Sequence, residues 1–410
     1  LALWLAQLIS QFGDRINQMA LVGLVAGRQF GSASEIAKIL TFTIIPVFLV
    51  GPIAGVFVDR WDRKVTLFVC DILRGFLVLL IPFVFIHWNS LWPVYGIVFV
   101  VFCLSRFYVP AKMSILPEIV PPEELHVANS LATVTGMIAF VLGALVGGLI
   151  VENSGARGGF IWDAVTFFLS AILVSSIARR RVKVDPKEVV STGREMAATY
   201  RNVFHEIMDG IRYLVAQRDI RYMIQLMLLL FMAAGAIYVV IIVFIQESFG
   251  SVTKHLGFLA VALGAGLFLG SLVYGKWGDK KRHIETIFSC LIAGGVMMGV
   301  FTIAVQSFKN IWVTWGLALL LGTFVGPIVI AANTVVHKAC SQEMQGKVFS
   351  SMEFVIHAGF LVTMLASAKL SEHVGRFWIL LGVAVIFALA GLLGLVRYRQ
   401  KVVEEKVEKV

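Results

Sequence analysis

Apolar residues along this chain run in blocks of ~20, the length that crosses a ~30 Å hydrocarbon core as an α-helix, with polar turns between them. Twelve blocks are expected, at residues 1–26, 36–58, 65–86, 92–116, 127–151, 160–178, 220–247, 256–276, 284–305, 311–336, 348–370 and 373–396. A membrane β-barrel would alternate apolar and polar residues over ~10 positions, which is not the pattern here. Leu1 lies inside an apolar run, so the first block reads as a span and not as a cleavable leader. The expected fold is an all-α membrane protein, its twelve transmembrane helices forming two pseudo-symmetric six-helix bundles. Expected boundaries are 1–181 for the first bundle, 182–218 for a cytoplasmic linker, 219–397 for the second bundle and 398–410 for a tail.

Composition strengthens this picture. The 410 residues are 59% hydrophobic and only 15% charged, against roughly 45–50% and about 25% in soluble domains. Mean hydropathy is +0.87. The net charge of +10 does not point to nucleic acid, because it follows the loops. Arg60, Arg63, Lys64, Arg179, Arg180, Arg181, Lys183, Lys276, Lys280, Lys281, Arg282, Lys338, Lys347, Arg397, Arg399 and Lys401 fall on one side. Only Arg28, Arg157, Lys254, Lys309 and Arg376 fall on the other. The basic side is expected in the cytoplasm, with both termini inside. In the linker, Phe204, Ile207, Met208, Ile211 and Leu214 recur at helical spacing, as in a helix lying on the inner membrane face. Cys70, Cys103, Cys290 and Cys340 show no ligand spacing and read as packed thiols.

The chain repeats itself. Gly55 is followed by Asp59-Arg60 and then Arg63-Lys64; 220 residues later Gly275 is followed by Asp279-Lys280 and then Lys281-Arg282-His283. Pro110 in the fourth span is echoed by Pro327 in the tenth. Two halves with duplicated inner-face loops are the mark of a parallel-repeat transporter.

The run Gly51-Pro52-Ile53-Ala54-Gly55-Val56-Phe57-Val58-Asp59-Arg60-Trp61-Asp62-Arg63-Lys64 resembles the signature loop of the major facilitator superfamily. Phe12-Gly13-Asp14, Pro110-Ala111-Lys112, Leu116-Pro117-Glu118-Ile119-Val120, Ala128-Asn129 and Asp163 through Ser170 resemble its drug-efflux branch of macrolide and siderophore exporters. Gly143, Gly147 and Gly148 are similar to the antiporter motif, although Ala144 stands where that motif carries proline. The resemblance implies alternating access, with the signature-loop residues Gly55, Asp59, Arg60, Arg63, Lys64, Gly275 and Asp279 acting as a conformational switch. In that switch Gly55 permits tight helix packing, Asp59 accepts from a helix N-terminus, and the bases bridge carboxylates.

Gln7, Ser10, Gln11, Asp14, Asn17 and Gln18 recur at three- and four-residue spacing, forming a polar stripe expected to line a watery path. Asp14 falls ~20 Å along that helix at 1.5 Å per residue. Burial favours the neutral form of a carboxyl and a nearby cation favours the charged form, which suits Asp14 to proton exchange. The competing expectation is an ion pair of Asp14 with Arg15 or with a cation on a neighbouring helix, Arg106 being placed to pair with it or to bind an anionic group, and Gln18 shares its face. Glu353 and His357, one turn apart, are a second candidate pair for proton or headgroup contact. Asp71 and Arg74 are expected to pair with each other or with the signature loop, and Asn333, Thr334 and His337 to form a polar edge.

No phosphate-cradling loop, metal cluster or nucleophile triad occurs in the sequence. No cofactor and no catalysis are therefore expected, and a proton gradient is the expected driving force. The leading expectation is proton-coupled export of amphipathic or hydrophobic small molecules by a monomer in a prokaryotic inner membrane. A lysophospholipid flippase is the alternative, weakened by a seventh span from Met223 to Ile245 without a cation. A non-transporting sensor or scaffold is the distant third.

Overall fold

The computed structural model describes residues 2–177, 204–205, 207–212, 218–277, 283–339 and 342–407. Among these the chain is all helix and one short 3₁₀ turn. The helices are α1 (Ala2–Arg28), α2 (Ala33–Leu49), α3 (Gly51–Arg60), α4 (Arg63–Trp88), α5 (Trp92–Ile119), α6 (Leu125–Ser175), α7 (Arg218–Phe249), α8 (Lys254–Trp277), α9 (His283–Phe308), α10 (Ile311–Ala339), α11 (Gln342–Val374) and α12 (Arg376–Val407).

Two boundaries depart from the hydropathy pattern. The expected second span, 36–58, divides into α2 and α3, bent by 56°. Pro52 sits in the first turn of α3 and has no N–H to return to the preceding turn, so the ladder breaks at Val50. The fifth and sixth spans run on as α6, yet Gly155 (φ 69°, ψ 176°) leaves helical geometry and separates an arm α6a (125–154) from an arm α6b (156–175). Nine described helices are long and apolar enough to cross a membrane, and the bent pair adds a tenth. Dividing α6 at Gly155 and adding α1, whose polar stripe dilutes its hydropathy, gives twelve spans.

Contacts divide the chain into two units: Leu1–Phe30 with Lys38–Glu206 and Val252–Gly257, and Gly31–Ala37 with Ile207–Ser251 and Phe258–Val410. The duplication is visible in the backbone. Among the described residues, six have positive φ and fall into three pairs 219 or 220 positions apart: Gly31 with Gly250, Asn89 with Lys309, and Gly155 with Gly375. Side chains repeat too. Tyr95 stacks on Phe42 at 5.1 Å and meets the edge of Trp92 at 5.5 Å. Trp315 stacks on Phe258 at 4.5 Å and meets the edge of Trp312 at 5.0 Å. Trp88, Trp92 and Trp312 are exposed, as amphipathic rings are at a membrane interface.

Within hydrocarbon, helices associate through close packing, and small residues permit it. In the first unit, a Cβ on Gly147 would lie 2.9 Å from Ile16 Cα, and one on Gly143 would lie 2.9 Å from Arg15 Cβ, so α6a lies directly on α1. In the second unit, Gly266 and Gly270 of α8 meet the backbone of Leu319 and Thr323 of α10 in the same manner. Residues 207–212 of the linker are helical; Ile207 is buried, and its carbonyl accepts from Ser351 Oγ at 2.9 Å. That piece of the expected surface helix is therefore tied to α11 through its main chain, with Ile207 buried. Leu214 and the linker's start lie outside the described residues.

Candidate functional site

The first unit holds a polar network where four helix segments meet. Arg74 on α4 is 1% exposed, yet its guanidinium is surrounded by partners. It is ion-paired with Asp71 one turn back, itself fully buried. Asp14 Oδ1 on α1 lies 3.8 Å from Arg74 Nη1. Arg74 also donates to Ser10 Oγ at 3.5 Å and to Ser105 Oγ on α5 at 3.4 Å. The rings of Tyr108 on α5 and Phe167 on α6b lie 4.4 Å from its Cζ. Ser170 on α6b donates to Asp71 Oδ2 at 2.7 Å, filling the other side of that carboxylate. A guanidinium suits this seat because its flat face can stack on rings while its fork reaches several acceptors.

Asp14 is the outlet of the network. Its side chain is 39% exposed, whereas Arg74 and Asp71 are sealed. Arg15, Arg106 and Lys112 stand within electrostatic reach of it. Arg15, however, bonds Gln18 Oε1 at 3.1 Å and lies over the Phe140 ring, and the ion pair of Asp14 is with Arg74. The expected ion pair with a cation on a neighbouring helix is made by Arg74: α4 offers a guanidinium already held between two aromatic faces, and α1 docks against it.

The polar stripe of α1 also divides. Gln7, Ser10 and Asn17 are buried and used between helices: Gln7 Nε2 donates to the Ala132 carbonyl at 3.4 Å, and Asn17 Nδ2 donates to Asp163 on α6b. Asp14, Gln11 and Gln18 remain partly open. Half of the stripe is therefore helix-to-helix adhesive, not channel lining.

The signature loop works locally. Asp62, not Asp59, caps α4, accepting from the Val65 N–H at 3.0 Å. Arg63 pairs with Glu118 of α5 at 2.9 Å. Lys64 Nζ donates to the carbonyls of Ser175 and Ile177 at 2.7 and 2.6 Å, covering the C-terminal end of α6b. Asp59 and Arg60 are exposed. Tight packing at Gly55 is not what the structure shows: a Cβ there, or on Gly275, would meet nothing within 4 Å. Asp279 lies outside the described residues. In the second unit Glu353 is exposed, and His357 Nδ1 meets the Glu353 backbone carbonyl at 2.8 Å, so the ring contacts its own helix and not the carboxylate. Thr334 likewise bonds back to the Ile330 carbonyl at 2.8 Å; the side chains of Asn333 and His337 lie outside the described residues. No group of three metal-binding side chains occurs among the described residues.

Helical spacing lets Asp71 pair with Arg74 but does not connect either to Asp14, because a contact between α1 and α4 leaves no mark at short spacing. Asp163 carried a usable signal, being a lone acid inside an apolar run.

A duplicated helical scaffold with ionisable groups collected inside one half is the architecture of a secondary transporter. The chain belongs to the Major Facilitator Superfamily, which it matches over residues 3–355 and again over 223–409. It is 21% identical to macrolide efflux protein A of Streptococcus pyogenes, covering 95% of this chain and 93% of that protein. It is 22% identical to the multidrug efflux pump Tap of Mycobacterium bovis, over 95% and 91%. Its fold is similar to that of a bacterial homologue of the iron transporter ferroportin in an inward-facing state, with a TM-score of 0.70, 14% identity and coverage of 96% and 98%. The protein is a multi-pass membrane carrier of this superfamily.

Proposed function

We propose that the protein exports amphipathic or hydrophobic small molecules across a bacterial inner membrane, as a monomer with both termini in the cytoplasm, by antiport with protons. The observation that carries this reading is Asp14, the partly open end of an otherwise sealed charge network. Asp14, Asp71 and Arg74 together hold two carboxyls against one guanidinium. With a proton on Asp14 that set is neutral and tolerable in hydrocarbon; without it the set carries an excess negative charge, which favours an arrangement open to water. Protonation and access are then two readings of one equilibrium. The printed activities of two relatives, macrolide efflux and multidrug efflux, support the choice of cargo.

Proteoliposomes loaded with a macrolide or a cationic dye provide the test. An inward proton gradient is expected to accelerate efflux, and Asp14→Asn to abolish that acceleration. Efflux indifferent to both would refute proton coupling.

A further inference from the structure

Asp163 is fully buried on α6b and stands apart from the Arg74 network. One carboxylate oxygen, Oδ2, accepts from Asn17 Nδ2 on α1. The other, Oδ1, is buried without a hydrogen-bond partner, and so is Asn17 Oδ1. Two neighbouring acceptors, one on each member of the same hydrogen-bonded pair, thus both lack a donor. Buried polar atoms are nearly always satisfied, so the pair needs an explanation.

Among the described residues, no donor is hydrogen-bonded to either orphan. The charged groups facing Asp163 are Asp14 on α1 and Arg74 on α4. Arg74 is committed to Asp71, Asp14, Ser10 and Ser105, and none of its hydrogen bonds reaches Asp163. Asp71 on α4 carries the wrong sign. Arg15 on α1 is turned toward Gln18 and Phe140. The phenol of Tyr108 on α5 faces Arg74 and Ser170. On α6b itself, the Thr166 hydroxyl lies within reach of the Asp163 carboxyl, but its one hydrogen is donated to the Asp163 backbone carbonyl at 2.7 Å. The α1 backbone covers the remaining side: a Cβ on Gly13 would lie 2.6 Å from Asp163 Oδ1 and 1.8 Å from Thr166 Oγ1. An ionised carboxylate here would be a dry charge whose nearest cation, Arg74, is already committed to other acceptors, an arrangement that burial disfavours.

One hydrogen resolves both orphans. We propose that Asp163 is a neutral carboxylic acid that closes a two-bond ring with Asn17, Oδ1–H donating to Asn17 Oδ1 while Asn17 Nδ2–H donates to Oδ2. Turning the Asn17 amide over does not remove the requirement, because its oxygen would then press on Asp163 Oδ2 and still need a hydrogen between them. The ring spans the seam between α1 and α6b, one turn from Asp14. It holds a proton while the seam is shut, and when α1 and α6b part, water reaches Oδ1 and takes that proton up as hydronium. Asp163 is thereby a second proton-holding position, gated by helix separation and not by open exposure as Asp14 is.

Infrared spectroscopy of the full-length protein in lipid reads the protonation directly and does not depend on the transport reading above. The wild-type-minus-Asp163→Asn difference at neutral pH is expected to show the loss of one protonated-carboxyl C=O stretch that shifts in D₂O. The Asp14→Asn protein is expected to keep that band. If Asp163→Asn does not fold, Asn17→Ala serves instead: the band stays and moves to higher frequency as its carbonyl loses the amide donor. Loss of a carboxylate stretch in place of the acid band on Asp163→Asn, or a shifted carboxylate stretch in place of a shifted acid band on Asn17→Ala, overturns the proposal. A second arm rests on proton-coupled export: pH-gradient stimulation of efflux by Asp163→Asn is expected to fall by about 5- to 150-fold, the span of ordinary coupling free energies. Stimulation undiminished in Asp163→Asn would refute the release step. Wild-type efflux blind to the gradient would instead defeat the proton-coupling reading and leave the infrared result to decide the acid–amide ring.

Discussion

The two units share a backbone plan and differ in what fills it. In the first, α4 meets α6b, with Gly75 against Phe168; a Cβ on Gly75 would lie 2.8 Å from that ring. In the second, α9 meets α12 220 positions on, with Gly295 against Ala388 and a would-be Cβ 2.6 Å from its N. Around the first seam stand Asp71, Arg74, Asp163 and Ser170. At the equivalent places of the second stand Leu291, Gly294, Val383 and Ala390. One seam is stitched by ions and hydrogen bonds, the other by apolar contact. Since association in hydrocarbon needs only close packing, the charges of the first seam are not required to hold a bundle of this shape together. They are the part of the first unit that the proposed proton coupling draws on.

This contrast can be broken experimentally. The largest effect is expected from Arg74→Met, which leaves Asp71 buried without a counter-ion and unseats Asp14. Thermal unfolding in detergent should show a loss of about 3–5 kcal/mol, the cost of breaking a buried pair from one side. Arg74→Lys is expected to recover little of it, because an ammonium cannot stack between Tyr108 and Phe167 while reaching two carboxylates. Next in size is Gly295→Leu, which forces a side chain into the Ala388 backbone. Overpacking of this kind costs about 1–3 kcal/mol, and the stability loss should come without any change in the proton dependence of efflux. Smallest is Gly294→Ala, the counterpart of Arg74: its Cβ would come no closer than 3.9 Å, to Phe324 Cβ. It is expected to leave unfolding within about 0.5 kcal/mol of wild type, as mild substitutions without a steric or polar fault do. A large effect there would show that the second seam is less indifferent than its packing implies.

How far the sequence could be read follows from the same contrast. Long apolar runs are local and strong, so the spans and the helical fold were legible, as was the duplication carried by Gly55–Lys64 and its echo. The break at Val50 had a local signal too, Gly51-Pro52, but a continuous hydropathy block concealed it. The site was only half legible. Asp71 and Arg74 are one helical turn apart and could be paired by spacing, and Asp14 could be singled out as a charge in a span. Their joining could not be read, because it depends on how α1 docks on α4. The roles given to Gly55 and Asp59 came from resemblance, and the packing here assigns capping to Asp62 and leaves Gly55 in open space.

The paired left-handed turns carry one more consequence. Asparagine tolerates that conformation, whereas lysine at Lys309 bears the ordinary Cβ cost of about 1–2 kcal/mol, so the bend there is imposed by the helices it joins and not by its own side chain. The path of the main chain is thus underwritten at its corners, independently of what lines the interior. Such a scaffold leaves its interior side chains free to vary while the corners keep the course of the main chain.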